Sequence, residues 1–163
     1  MIDYLDNLDK ALMLWMNYDG GAVQDQFWYF VSGKMTWIPL YLFLLWMLMK
    51  HCSTTGQLKK INWKQFGTLL LITALVVLLS DQIASGLIKH WVERPRPSQP
   101  ASGISDMIHI VNDYRGGRYG FVSSHAANTI GVALWFSLLL RKRWLSSLLA
   151  FWVVLNCYSR IYL

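Results

Sequence analysis

Phe66 to Lys89 reads FGTLLLITALVVLLSDQIASGLIK, and these residues decide what kind of protein this is. Coiled as one helix they extend about 36 Å, enough to cross a hydrocarbon core about 30 Å thick. Three further apolar runs flank it: Met35–Met49, Ser123–Leu140 and Trp144–Leu163. The first of these, at 15 residues, is short and needs flanking residues or bundle packing to cross. Composition agrees, with 55% hydrophobic residues, nine tryptophans and only 15% charged residues, well under the roughly 25% of soluble domains. The expected fold class is therefore all-α: a polytopic membrane helix bundle with about four transmembrane helices.

Residues 1–34 read differently. Leu5, Leu8, Leu12 and Trp15 recur at helical spacing between Asp3, Asp6, Asp9 and Lys10, a pattern for a helix lying in the membrane interface. Asn17 to Gly21 stops it, and Phe27-Trp28-Tyr29-Phe30 is a second segment suited to headgroup level. The chain is thus read as a single membrane domain over 1–163, with interfacial helices at 1–34 and the bundle at 35–163. A polar loop at 90–119 leads through residue 122 into the third span. Neither an internal repeat nor a secretory signal is visible in the sequence.

Charge sets the orientation. Lys50, Lys59, Lys60 and Lys64 occupy a loop without acids, and Arg141-Lys142-Arg143 forms the last turn, so both are expected in the cytoplasm. Residues 1–34, with five aspartates against two lysines, and the mixed-charge loop at 90–119 are expected on the opposite face. Membrane topology accounts for the net charge of +6, which removes the reason to expect a nucleic-acid partner. Cys52 and Cys157 fall at different depths, so no disulfide is expected, and neither has metal-site spacing.

The chemistry-bearing residues gather at the non-cytoplasmic helix ends. Lys89 closes the second span and begins Lys-His-Trp-Val-Glu-Arg-Pro-Arg-Pro, in which Pro95 and Pro97 hold Arg94 and Arg96 extended. Guanidinium and ammonium groups together suit a phosphate, which arginine grips with two parallel hydrogen bonds. Ser123 and Ser124 open the third span, where free backbone N–H groups make an anion site. His125 follows in the first turn, placed to exchange a proton with a bound phosphate ester. Arg160 stands near the end of the fourth span, four residues after Asn156, where a charge needs a partner or a function. Arg118 is nearer the serines than Arg115 and is the better additional candidate. Asp81 is read as a structural partner for a polar residue on a neighbouring helix, and His51, His90 and His109 as bystanders. The carboxylates are too few and too dispersed to predict a magnesium or zinc site, so neither metal nor cofactor is expected.

These pieces resemble a known family. Lys89, six residues and then Arg96-Pro97 match the first signature of the type 2 phosphatidic acid phosphatase superfamily of membrane lipid phosphatases. Val122-Ser123-Ser124-His125 is similar to its second signature, Pro-Ser-Gly-His, departing at Val122 and Ser124. Ser159-Arg160 matches the start of the third. The resemblance covers residues 66–163 and implies that Lys89, Arg96, Ser123, Ser124 and Arg160 bind phosphate while His125 is the catalytic general acid. It also implies a nucleophilic histidine seven positions after Ser159, forming a phosphohistidine, and an aspartate four further on. The chain stops at Leu163, before both, and is read as truncated within that signature.

The implied activity is metal-independent hydrolysis of lipid phosphates or diphosphates at the periplasmic face of a bacterial-type inner membrane. Phosphatidic acid, phosphatidylglycerol phosphate and polyprenyl diphosphate all offer the same phosphate, and the sequence does not choose among them. The lipid phosphate and the surrounding membrane lipids are the expected partners; oligomeric state is not readable. Two alternatives stand beside the enzyme: a catalytically inactive module that only binds a lipid phosphate, and a structural protein whose basic residues anchor headgroups. The three ordered signatures count against the latter. Whether His and Asp follow Leu163 separates the enzyme from the binding module, and the 163-residue form itself is expected to be inactive.

Overall fold

The computed structural model describes residues 2–53, 60–113 and 115–163. Lys59 of the expected cytoplasmic loop lies outside them. Helices dominate: α1 (Ile2–Met16), α2 (Gly21–Ser32), α3 (Ile38–His51), α4 (Trp63–Asp81), α5 (Lys89–Val92), α6 (Ser124–Leu140) and α7 (Arg143–Tyr162). Among the described residues β structure is limited to two isolated antiparallel bridges, Ser53 with Ile61 and Pro95 with Tyr119. The fold is an all-α membrane bundle.

Not every apolar run is a full span on its own. Trp63–Val92 is continuous over 30 residues, with a mean hydropathy of 2.0 in its best window; α7 has 20 residues and a value of 1.2. Both are long and apolar enough to cross. The expected first span is half of a bent pair, with α2 meeting Met35–His51 at 66°, and α6 is apolar but only 17 residues long. Among the described residues the expectation of four spans is thus met outright by two helices, or three if the bent pair counts as one. The physical reason is helix length: α3, at 14 residues, reaches only about 21 Å.

Local sequence explains the breaks. Asn62 caps α4, its side chain accepting from the Gln65 N–H at 3.1 Å. After Asp81 the helix widens into a π-helical segment, Gln82–Ile88, before α5. Glu93 then takes a left-handed conformation (φ 48°) and turns the chain out of the helix ahead of Arg94. Ser123, with ψ near 117°, caps α6, and Arg141 (φ 49°) makes the tight turn into α7. Segments of the two earliest helices also contact the bundle: Trp28 of α2 packs edge-on against Tyr158 of α7, with ring centroids 4.7 Å apart, while Phe27, Tyr29 and Phe30 remain exposed.

The core lies between α3, α6 and α7. Leu44 and Leu48 meet Ala133, Phe136 and Leu140, with Leu145, Leu149 and Trp152 closing the third side. Along α4 the outer leucines, Leu71, Leu78 and Leu79 among them, are exposed, as a face turned to lipid would be. The inner face of α4 and of the π-helical segment after it is bound to α6 by a series of polar contacts. Trp135 Nε1 donates to Thr73 Oγ1 at 2.9 Å, Asn128 Nδ2 donates to Asp81 Oδ1 at 3.4 Å, and Ser85 and Ser124 share a hydrogen bond. Gly131 permits the approach, because a Cβ there would stand 2.5 Å from Ser80 Oγ.

Candidate active site

The six residues singled out from the sequence line one cavity. Lys89, Arg96, Ser123, Ser124, His125 and Arg160 surround a space of about 160 Å³. They come from four elements: Lys89 from α5, Arg96 from the loop, the serines and His125 from the head of α6, and Arg160 from α7. Convergence follows from helix order, since the α4–α5 helix and α7 both flank α6 and end beside its N-terminus.

Each cation is held. Lys89 Nζ donates to Ser124 Oγ at 3.5 Å, and Ser85, one π-helical turn earlier, bonds the same hydroxyl. Arg96 is fixed through its backbone and its side chain. Its N–H donates to Arg118 O at 3.1 Å, its Nε donates to Tyr119 O at 3.1 Å, and the Gly120 N–H donates to Arg94 O at 2.9 Å. Gly116 and Gly120 make room for it: an added Cβ would come within 2.1 Å of Arg96 Nη1 at the first and 2.9 Å of Arg96 Cγ at the second. Arg160 Nη1 donates to Ser32 Oγ at 2.9 Å. Arg94 turns the other way, into ion pairs with Asp9 and Asp6 of α1.

At the head of α6 the Ser123 hydroxyl accepts from the Ala126 N–H at 3.5 Å. The N-terminus of a 17-residue helix therefore points into a cavity walled by cations. N–H donors, helix dipole and three fixed positive charges favour a phosphate group. His125 is exposed and lines both this cavity and a second, apolar one beneath it.

Two sequence expectations shift. Arg118 does not line the cavity; it lies over the Tyr119 ring at 5.4 Å, and Arg115 takes a place in the wall instead. The Arg118 carbonyl is committed to pairing with the Arg96 N–H, whereas Arg115 is locked to Ser98 by Nη1 donating to Ser98 O at 3.0 Å and Ser98 Oγ donating to Arg115 O at 2.7 Å. His109 is no bystander either. It lines the cavity, and its Nε2 lies 2.8 Å from Asp25 Oδ1, which also accepts from Tyr162 Oη at 2.7 Å. Asp19, Asp25 and His109 bring their ligating atoms within 4.8 Å of one another, so these carboxylates are less dispersed than their sequence spacing implies. Asn17, 5% exposed, ties this corner together: its Oδ1 accepts from the His109 N–H at 2.7 Å and its Nδ2 donates to Tyr162 O at 2.8 Å. The sequence marked Asn17 only as the start of a helix stop, because its partners lie 92 and 145 residues away. Asp81 pairs with Asn128 as expected of an intramembrane structural partner, while His51 and His90 are exposed.

Comparison with known proteins gives the family. The family model described as the PAP2 superfamily matches residues 67–163. A protein of Bacteroides thetaiotaomicron named lipid A 4'-phosphatase is 38% identical over 167 residues, covering 100% of this chain and 68% of that protein. One of Porphyromonas gingivalis with the same name is 33% identical over 162 residues, covering 99% of this chain and 64% of that protein. The chain thus spans about two thirds of the length of these relatives. No solved structure matches it. With its signatures gathered around one cavity and the family model matching over most of its length, this chain belongs to the PAP2 superfamily, the type 2 phosphatidic acid phosphatases.

Proposed function

We propose that this chain forms the phosphate-binding body of an integral-membrane phosphatase that hydrolyses a phosphorylated lipid at the non-cytoplasmic face. One observation carries the reading: Lys89, Arg96 and Arg160, a serine-capped helix N-terminus and His125, drawn from four elements, line the same small cavity. In this reading Lys89, Arg96 and Arg160 hold the phosphoryl oxygens, with Ser123, Ser124 and the α6 N–H groups completing the cradle. They stabilise the charge that spreads over those oxygens in the transition state. His125 protonates the leaving oxygen. The family resemblance assigns the attack to a histidine beyond Leu163, through a phosphohistidine oriented by an aspartate. No step needs a metal ion.

Among lipids, both relatives' names favour the 4'-phosphate of lipid A over phosphatidic acid, phosphatidylglycerol phosphate and polyprenyl diphosphate. The 1–34 segment is read as interfacial, which the shortness of α1 and α2 supports: at 15 and 12 residues each reaches only about 22 and 18 Å alone. The lysine and arginine bias supports a cavity on the periplasmic side of a bacterial inner membrane.

Phosphate release from a panel of lipid phosphates tests the reading, using the 163-residue chain and a form continuing through the histidine and aspartate of the third signature. The longer form is expected to turn over with chelator present, and the shorter to bind phosphate without releasing it. His125→Ala in the longer form is expected to lower turnover roughly 10²–10⁴-fold, the range for losing a general acid or base. Full activity in His125→Ala, or robust turnover by the 163-residue chain, refutes these assignments.

A further inference from the structure

On the side of α1, a cleft of about 540 Å³ adjoins the phosphate cavity. Met13, Pro97, Gly120, Ser123 and Ile161 line both spaces. At about 160 Å³ the phosphate cavity is smaller than whole small-molecule sites, which run roughly 300–1,000 Å³, whereas the cleft falls inside that range. Whatever carries the phosphate must extend out of the first space, and the cleft has room for a bulky group. One of its walls is α1, outside residues 67–163, so the family signatures alone do not build it.

The two spaces differ in charge. Lys89, Arg96, Arg115 and Arg160 line the phosphate cavity, but the cleft sets Asp6 and Asp9 against Lys10 and Arg94. Lys10 Nζ pairs with Asp6 Oδ2 at 2.7 Å, and Arg94 pairs with Asp9 Oδ2. This balance offers no excess positive charge for a second phosphate. A carboxylate has about four acceptor sites, so Asp6 and Asp9 keep lone pairs for further donors. Hydrogen bonds to an ionised acceptor are about twice as strong as neutral ones. The four side chains are 34–53% exposed, so a ligand in the cleft reaches them. Below this charged rim the lining turns apolar, with Met13, Ile104, Phe121 and Ile161.

We propose that the cleft receives the headgroup of the substrate, and that this headgroup is a polyhydroxylated ring whose hydroxyls donate to Asp6 and Asp9. The proposal rests on the phosphatase reading, which seats the phosphate at Lys89, Arg96 and Arg160. Such a ring matches the cleft in two ways. Its hydroxyls lie around the edge, where the carboxylates accept them, and its C–H faces pack on the apolar lining. A glycerol head matches neither: it leaves most of the cleft to water and presents no apolar face. Asp6 and Asp9 are thus specificity residues supplied by the interfacial helix, while the phosphate cavity treats every phosphate monoester alike.

Calorimetric titration of the 163-residue protein in nanodiscs with inorganic phosphate, glycerol phosphate and glucosyl phosphate tests this. Glucosyl phosphate is expected to bind about tenfold more tightly than the other two, the effect of one charge-assisted hydrogen bond at a half-exposed site. The readout is its affinity relative to inorganic phosphate within each variant, so a general loosening of the fold cancels. Asp6→Ala combined with Asp9→Ala is expected to bring that ratio close to one. Ala101→Phe, which fills the cleft from the loop side and leaves both carboxylates in place, is expected to do the same. Equal affinity for the glucosyl and glycerol phosphates in the unaltered protein overturns the proposal, as does a preference that persists in either variant. Arg96→Gln is expected to weaken all three ligands alike. Binding that depends on Arg96 but shows no glucosyl preference leaves the phosphatase reading standing, whereas phosphate binding indifferent to Arg96→Gln refutes that reading.

Discussion

Gly116→Ala separates the geometry of the Arg96 cradle from general stability. Gly116 has φ +65°, and a Cβ there would stand 2.1 Å from Arg96 Nη1 and 2.9 Å from Cζ. The backbone strain of a left-handed alanine costs about 1–2 kcal/mol. The clash adds little to that, because the tip of a long side chain swings aside. Swinging aside is what harms function, since the guanidinium leaves the cavity wall. Losing a charge-assisted hydrogen bond costs about 1.5–3 kcal/mol, so affinity for inorganic phosphate or vanadate is expected to fall roughly 10- to 100-fold. Two neighbours serve as controls. Gly103 also has positive φ, +74°, but nothing within 4 Å, so Gly103→Ala is expected to cost similar stability and leave binding intact. Gly117→Ala, with open space and no positive φ, is expected to change neither. Titration of the detergent-solubilised protein, with a thermal melt of each variant, reads both quantities. If Gly116→Ala binds phosphate as well as Gly103→Ala does, Arg96 is not held in the cavity by its glycine cradle.

Three further outcomes follow from the same structure. Cysteine labelling from outside intact cells is expected to modify Gly103→Cys and spare Thr55→Cys, a position outside the described residues; the reverse pattern refutes the orientation. Asp25, on the short helix α2, has its carboxyl held below the ordinary value of 3.8, first by the Tyr162 hydroxyl and then by His109. The stability it contributes is therefore present above that value and lost as pH falls through the lowered one. Melting temperature measured down through this acid range is expected to drop, and Asp25→Asn to flatten the drop; an unchanged profile removes Asp25 from the account. Asn17→Ala removes the side chain bonded to His109 and Tyr162. It is expected to cost about 2–4 kcal/mol, at about 1–2 per buried hydrogen-bonded group, read by thermal or denaturant unfolding, and a change under 0.5 kcal/mol contradicts it.

The sequence made the helices and the six cavity residues legible for different reasons. Apolar runs announce helices because lipid leaves the backbone no other way to satisfy itself. Lys89, Arg96 and Arg160 stood out because charges beside hydrocarbon are rare. Arg115 and His109 were missed because loop geometry, not helix register, positions them. The Ser98 contacts hold Arg115 rather than Arg118 in the wall, and those contacts span 17 residues. The Asp25–His109 pair spans 84 residues and joins two loosely patterned segments, so no spacing rule reveals it. Helix length misled in the other direction. An apolar run shows where a helix prefers lipid, not whether it crosses alone, and α3 and α6 fall short as single straight spans.

The polar residues inside α4 and α6 acquire a purpose once the site is placed at their ends. Two apolar helices in lipid have little to fix their register, because sliding exchanges one hydrocarbon contact for another. Thr73 with Trp135, Asp81 with Asn128 and Ser85 with Ser124 match only in one register, each contact lower on one helix and higher on the other. A slip of one turn moves a residue about 5.4 Å, enough to break all three and to carry Lys89 away from Ser124. Thr73 and Asp81 hold the helix below Lys89 in the register that brings it to the cavity. The intramembrane polar ladder is therefore part of the candidate site's construction, although no rung except Ser124 lines its cavity.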